Sequence, residues 1–221
     1  MLNIILTSYN RPALLRRTIT SLLLQTDNNW KCYLMDDNSD AATLAVIREF
    51  SDRRIVVKLH ETSAEDRIDS TRYSVLINEI LPSLKSEIVG YLCDNVDYDP
   101  ALVGTVNQWF KQNPDKFAGY TYHMRDVHSA DGLEYKGMAS DYGHWNILPP
   151  GTGPVDAPAG LLDHSQVFHR LPIVLKWNED PAVKARGDGE FFTRLVGEYG
   201  PIYPIDPQSV LTFEHLIEDR I

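Results

Sequence analysis

Short apolar runs alternate along the chain with segments of helical spacing, and several of the runs stop in carboxylates. Leu2 to Leu6 reads as a strand. The polar loop Thr7-Ser8-Tyr9-Asn10-Arg11 follows, and Pro12, which suits a first helical turn, opens a helix to Gln25 with Leu14, Leu15, Ile19, Leu22 and Leu23 at helical spacing. Arg11, Arg16 and Arg17 fall on the other side and read as a solvated face. Trp30 to Met35 is a second strand, ending in Asp36-Asp37-Asn38-Ser39. Thr43 to Phe50 has helical spacing, and Arg54 to Leu59 is a third strand around β-branched Ile55, Val56 and Val57. His60 to Arg67 reads as a polar loop. Ser70 to Leu81 is a helix closed by Pro82, and Ile88 to Leu92 is a fourth, buried strand that runs into Cys93-Asp94-Asn95-Val96-Asp97. Strands and helices in this alternation predict an α/β fold of βαβ units around a largely parallel sheet.

The second half is less regular. Pro100 to Gln112 reads as a helix and Lys116 to Tyr122 as a strand. Asp126 to Pro158 holds five of the thirteen glycines and four of the thirteen prolines, so it reads as a long loop region with a hairpin at Asp131-Gly132. Tyr135, Tyr142 and Trp145 lie within it, and loops of this kind commonly bind or cover ligands. Leu161 to Leu171 sets Asp163-His164 and His169-Arg170 among apolar residues. Arg186-Gly187-Asp188-Gly189 precedes an amphipathic helix over Glu190 to Tyr199, and Ile202 to Ile205 is a last short strand.

Composition narrows the function. A chain of 221 residues suits one domain, or one with a small appendage. A formal net charge of -10 gives no electrostatic footprint for sequence-independent binding to nucleic acid or anionic lipid. Cys32 and Cys93 both sit in apolar runs, which argues for a reduced compartment. No apolar run is long enough to span a bilayer and no secretory leader is readable, so a soluble cytoplasmic protein is the expectation.

The candidate chemistry lies at the acidic strand ends. Open α/β sheets bind ligands beyond the carboxyl ends of their strands, and hard cations that carry phosphate take one or two carboxylates there. An Asx turn explains Asp94-Asn95 equally well. Asp188 reads either as a helix N-cap or as a functional carboxylate whose flanking glycines allow a close backbone approach. Asp163-His164 reads either as a relay or as a structural pair. The glycine fingerprint of dinucleotide enzymes, a Walker loop and paired zinc-type histidines are all missing from the sequence.

Three further stretches carry a resemblance. Ile4-Ile5-Leu6-Thr7-Ser8-Tyr9-Asn10-Arg11, then Ser21-Leu22-Leu23-Leu24-Gln25-Thr26, then Met35-Asp36-Asp37-Asn38-Ser39 resemble the opening of the family 2 glycosyltransferases of the GT-A fold. The likeness continues through Thr71-Arg72-Tyr73, Ile77-Asn78, Tyr91 to Pro100, Leu162 to Arg170 and Gly187 to Phe192, is weakest over Asp126 to Pro158, and is greatest to the spore-coat polysaccharide members. The resemblance implies a GT-A domain over residues 1–221, with a mixed, mostly parallel sheet flanked by helices. Residues 1–100 would form its nucleotide-binding half and 101–221 its acceptor side. It implies inverting transfer from a UDP- or dTDP-sugar to an acceptor hydroxyl, with a divalent metal, Mn or Mg, on the diphosphate. By the same resemblance Thr7 and Tyr9 line the base pocket, Asp37 accepts from uracil or ribose, and Arg67 contacts the base or phosphate side. Arg11 joins the nucleotide-sugar site, Asp94 holds the ribose or sugar, Asn95 faces the metal, and Asp188 is the general base.

The chain departs from the family pattern at Asn95, where a carboxylate is common. Metal binding is therefore expected to be weak and to draw on Asp97 or His215, giving a metal set of Asn95, Asp97 and His215. The sequence ends soon after His215, so elements closing the acceptor side are expected either to be missing or to come from a partner subunit, as in a homodimer. A saccharide is the foremost acceptor, with a lipid-linked sugar or a modified nucleobase as alternatives. The competing functions are a catalytically impaired sugar-nucleotide-binding module and a nucleotidyltransferase. The latter is disfavoured because Thr-Ser-Tyr-Asn-Arg-Pro is not a glycine-rich basic loop.

Overall fold

The computed structural model describes residues 1–84, 87–138, 148, 151–183 and 186–218. Its first half runs β1 (Leu2–Ser8), α1 (Pro12–Leu23), β2 (Trp30–Asp36), α2 (Ala41–Glu49), β3 (Ile55–Leu59), α3 (Ala64–Asp69), α4 (Arg72–Ile80) and β4 (Ile88–Cys93). The second half runs β5 (Val96–Tyr98), α5 (Leu102–Gln112), β6 (Ala118–Tyr120), β7 (Tyr122–His128), β8 (Tyr135–Met138), β9 (Val167–Arg170), α6 (Gly187–Tyr199), β10 (Ile202–Pro204) and β11 (Val210–Ile217).

β1 is buried at all seven positions, as a central parallel strand covered on both faces should be. It pairs in parallel with β2 and β4, and β2 pairs in parallel with β3. The main sheet has the order β10-β6-β9-β4-β1-β2-β3, with β9 antiparallel to β4 and β6. It is therefore mixed and mostly parallel, as expected. The period-two alternation of β1 divides the core. Ile4 and Leu6 pack with Leu15, Ile19 and Leu22 of α1, Val46 and Ile47 of α2 and Val103, Val106 and Phe110 of α5. Ile5 packs on the other face with Leu76, Ile77 and Ile80 of α4 and Phe191, Phe192 and Leu195 of α6.

A second sheet, β5-β11-β7-β8, was not legible in the sequence. The segment expected as one strand over Lys116 to Tyr122 is divided at buried Thr121, whose N–H donates to Gln166 O at 2.9 Å. Before it, β6 joins the main sheet; after it, β7 joins the second. The expected hairpin at Asp131-Gly132 connects antiparallel β7 and β8, with Gly132 at φ 73°. The rest of that loop region includes residues 139–147 and 149–150, with Tyr142 and Trp145, which lie outside the described residues. His60 to Arg67, expected as a loop, instead contains the start of α3, set by a capping box between Ser63 and Asp66. Among the described residues no helix is long and apolar enough to cross a membrane.

Gln25 explains one stretch of the resemblance structurally. Its side chain is buried, donates to Asp99 O at 2.7 Å and accepts from the N–H of Val103 at 2.9 Å, one of the donors that the first turn of α5 leaves free. It thereby ties the end of α1 to the start of α5. Gln25→Leu strands the Val103 N–H, while Asp99 O keeps the N–H of Leu102, so a loss of about 1–3 kcal/mol is expected in urea unfolding with an unchanged m-value.

Candidate active site

The carboxyl ends of β1, β2 and β4 open into one cleft of about 460 Å³. Thr7 to Arg11 line it from the β1 end, Asp37 from β2, Cys93 and Asp94 from β4, and Arg67, Arg72, Tyr73 and Leu76 from α3 and α4. Two asparagines in left-handed backbone, Asn10 at φ 51° and Asn38 at φ 58°, shape the rim; asparagine tolerates this region better than most residues. Asn10 receives Asp40 N–H on its side chain at 2.7 Å and donates its own N–H to Ser39 Oγ at 3.1 Å, while Asn38 Nδ2 donates to Thr62 O at 2.9 Å. The loops after β1, β2 and β3 are thus braced to one another.

Thr7, Tyr9, Arg11, Asp37, Arg67 and Asp94, all expected in the nucleotide-sugar site, meet in this cleft. Asp37 is almost fully buried. One oxygen accepts from Thr62 Oγ1 at 2.6 Å and from Arg72 Nη2 at 3.0 Å; the other accepts from Arg67 Nη1. Burial works to raise this carboxyl, but the Thr62 hydroxyl and the two guanidiniums outweigh it and hold it below its ordinary value. Arg67 also lies 3.7 Å from the Tyr9 ring centroid, so it covers one face of that ring. Asp94 accepts from Tyr9 N–H at 2.9 Å and from Arg11 Nη1 at 3.1 Å. Here burial prevails over Arg11 and the carboxyl is pushed up. Arg11 is therefore no solvated residue. Of the three arginines read as a solvated face, only Arg16 is plainly exposed, bound to Glu49.

Asp188 lies in the first turn of α6 but does not cap it; Arg186 holds the cap position, and Asp188 Oδ1 accepts from Gly189 N–H at 2.8 Å. Its ligand atoms, with those of Asp163 and His164, all fall within 4.8 Å of one another. Burial first, then the neighbouring Asp163, push Asp188 up to about 6, with His164 opposing. The flanking glycines do allow close approach. A Cβ on Gly187 would collide with Tyr73 Oη, and one on Gly189 would meet the Ala159 backbone at 3.1 Å. Tyr73 also lines the cleft, so α6 brings Asp188 one residue from the cleft wall.

The residues expected around the metal divide. Asn95 donates its side-chain amide to His215 O at 3.2 Å, and its own carbonyl accepts His215 N–H at 2.7 Å. Asp97 and His215 come together, with His215 Nε2 at 2.8 Å from Asp97 Oδ2. Two residues that sequence reading passed over join them: His128 Nε2 lies 2.6 Å from His215 Nδ1, and Asp126 Oδ2 lies 3.9 Å from the same nitrogen. Arg17 reaches in with Nη1 at 3.4 Å from His128 Nδ1, Nη2 at 3.3 Å from His215 Nε2 and Nε at 3.6 Å from Asp97 Oδ2. One set of tautomers satisfies this chain with both imidazoles neutral: Arg17 donates to His128, His128 to His215, and His215 to Asp97. Burial, His215 and Arg17 all lower His128, in keeping with a neutral ring.

Thr62, Arg72 and Tyr73 also line or brace the site without having been singled out for it. Arg72 and Tyr73 stood in a stretch of the resemblance, which was the available signal; Thr62 offered none. Gly187→Ala is expected to cost about 1–3 kcal/mol, because the rigid Tyr73 ring must yield. In a Tyr73→Phe background the same change should cost less, and a double-mutant cycle in urea measures that coupling.

Residues 3–64 match the family described as Glycosyl transferase family 2. Protein CgeD of Bacillus subtilis (strain 168) is 31% identical over 221 residues, which cover 96% of this chain and 50% of that protein. The chain thus spans about half the length of this curated relative. In structure, S. aureus TarS 1-349 in complex with UDP-GlcNAc matches with a TM-score of 0.69 at 13% identity, over 97% of this chain and 58% of that one. Mannosyltransferase PcManGT from Pyrobaculum calidifontis, in complex with GDP-Man and Mn2+, matches with a TM-score of 0.57 at 13% identity, over 96% and 56% of the two chains. With its sheet order and its cleft beyond the ends of β1, β2 and β4, the chain has the GT-A fold, and its N-terminal segment matches glycosyl transferase family 2.

Proposed function

We propose that the chain is an inverting glycosyltransferase that moves a sugar from a nucleoside diphosphate donor, UDP- or dTDP-linked, to an acceptor hydroxyl. The observation that carries this reading is the placement of Asp188, a carboxylate that burial pushes up, one residue from the wall of the cleft that Tyr73 shares with Tyr9, Asp37 and Arg67. Residues 1–100 serve as the nucleotide half and 101–221 as the acceptor side. The free thiols Cys32 and Cys93 support a reducing compartment such as the cytoplasm.

Each residue has a defined task in this reading. The base stacks on the Tyr9 face that Arg67 leaves uncovered, and Thr7 closes the pocket at the end of β1. Asp37, kept ionised by its arginines, accepts the imide N–H of a uracil or thymine or a ribose hydroxyl, and Arg67 donates to a base carbonyl or to the phosphate side. Asp94, held by Arg11, receives hydroxyls of the ribose or sugar. Asp188 takes the proton of the acceptor hydroxyl while that oxygen bonds to the anomeric carbon and the bond from that carbon to the diphosphate oxygen breaks. The nucleoside diphosphate departs with the bonding electrons, and no covalent enzyme intermediate forms. A saccharide hydroxyl is the acceptor we favour, with lipid-linked sugars and modified nucleobases included in the assay.

Two imidazoles and a carboxylate, from His128, His215 and Asp126, form a donor set that suits a divalent ion such as Mn, with Asp97 on the other ring nitrogen of His215. The bound ion would supply charge neutralisation for the departing diphosphate. Asn95, beside this set, would add at most a neutral amide oxygen. Arg17 already places a positive charge among these acceptors, so it competes with any divalent ion.

Asp188→Asn is expected to abolish transfer, read as nucleoside diphosphate release, while donor binding in calorimetry persists; full transfer by this variant would overturn the assignment. Because the base must be ionised to accept a proton, kcat/KM should fall as pH drops through about 6. Donor binding with no turnover on any acceptor would instead identify a binding module. For the metal, Mn titration without nucleotide should give weak binding that tightens in Arg17→Met; nanomolar affinity in the unaltered protein would contradict the competition.

A further inference from the structure

We infer that His164 is a positioning residue for the base, an imidazolium that bridges the Cys93 thiol to the carboxylates of Asp163 and Asp188 and favours the ionised form of Asp188. The inference rests on the reading of Asp188 as the base. Two carboxylates this close in a shielded site do not both ionise unless a cation stands with them. Among the described residues, His164 is the group whose ring lies within 4.8 Å of both.

The ring is fixed from every direction. Nε2 lies 2.9 Å from Cys93 Sγ at the end of β4, and Nδ1 lies 3.7 Å from Asp163 Oδ1. Tyr73 of α4 lies parallel to it at 5.9 Å between centroids, and Trp177 meets it edge-on at 6.1 Å. Asp163 is itself held, since its side chain accepts Ser165 N–H and its backbone N–H donates to Gln166 Oε1, each at 2.9 Å. Turning the ring away from the carboxylates would break its contact with Cys93 and its packing against Tyr73 and Trp177. The titratable groups around it are Cys93 from β4, Asp163 from its own turn, Asp188 from α6 and Tyr73 from α4.

Burial opposes a charge on His164, but Cys93, Asp163 and Asp188 together outweigh it and raise the imidazole. Burial also pushes the Cys93 thiol up, while the neighbouring His164 pulls it down. Nε2–H then donates to Sγ, and Nδ1–H faces the carboxylates. The ion in turn lowers Asp188, against burial and Asp163. Without it, Asp188 would hold its proton to higher pH and be unavailable as a base near neutrality.

The test is the pH profile of kcat/KM in His164→Gln, which removes the charge but keeps a hydrogen-bonding side chain. The acid limb should move up by about one pH unit, which lowers kcat/KM about tenfold on the acid side, and the rate should recover toward that of the unaltered protein at high pH. Donor affinity should not change. A merely structural role would lower the rate evenly across pH, and an unmoved limb would overturn the inference. Should the variant fail to fold, the imidazole proton resonances of His164 in the unaltered protein decide: protonation that persists to pH 8 supports the inference, and titration near the ordinary histidine value of about 6.5 overturns it. Asp188→Asn separates the two readings. If that variant still transfers sugar, the base assignment falls; if it is inactive while the limb of His164→Gln stays in place, only the role of His164 falls.

Discussion

Charge buried at strand ends is the constraint on which the rest of the site depends. β1, β2 and β4 each deliver polar side chains to the same edge of the sheet, and two of those strand ends carry carboxylates that the fold takes out of water. A buried carboxylate without a partner is costly by several kcal/mol. The loop after β1 supplies the partner for Asp94, because left-handed Asn10 turns the chain so that Tyr9 N–H and Arg11 both reach it. The segment from β3 to α4 supplies Thr62, Arg67 and Arg72 for Asp37. The loops that would hold a nucleotide are therefore the same loops that make the strand ends tenable.

Different partners give chemically similar side chains different states. Asp37 has two guanidiniums and a hydroxyl and is held low, whereas Asp94 has one arginine and a backbone donor, and burial wins. Asp188 has a second carboxylate beside it and one histidine, and is raised to about 6. Environment separates their protonation behaviour: a permanent anion would suit hydrogen-bond recognition, and a carboxylate raised toward neutrality would suit proton transfer.

Where apolar periodicity was strong, the sequence was readable. The five apolar residues of α1 and the continuous run of β1 predicted their elements because burial on one or both faces leaves that signature. The helix α3 buries none of its residues, so it had no apolar pattern; only the Ser63-to-Asp66 spacing marked it. The end of β7 from Asp126 fell in the expected loop region because His123, Arg125, Asp126 and His128 break its alternation, and those polar residues are satisfied by β11, distant in sequence. Arg17 was misread for a related reason. Its helical position faces away from the main core, yet the second sheet packs there and takes it into the His128–His215 chain. The glycines around Asp188 were legible as points of close approach, although Tyr73 as the neighbour could come only from the fold.

The second sheet also accounts for the residue that departs from the family pattern. Asn95 follows Asp94 and sits against His215, and its amide nitrogen donates to a backbone carbonyl of β11. A carboxylate at that position would set an acceptor against an acceptor and add a third negative group between Asp94 and Asp97. Asparagine removes both conflicts and pins β11, with the antiparallel β5 pairing continuing from the same point. Holding β11 there keeps His215 against Asp97 and Arg17. Asn95 and Arg17 thus belong to one charge arrangement, in which the guanidinium stands among Asp97, His128 and His215 and the neighbouring amide adds no further negative charge.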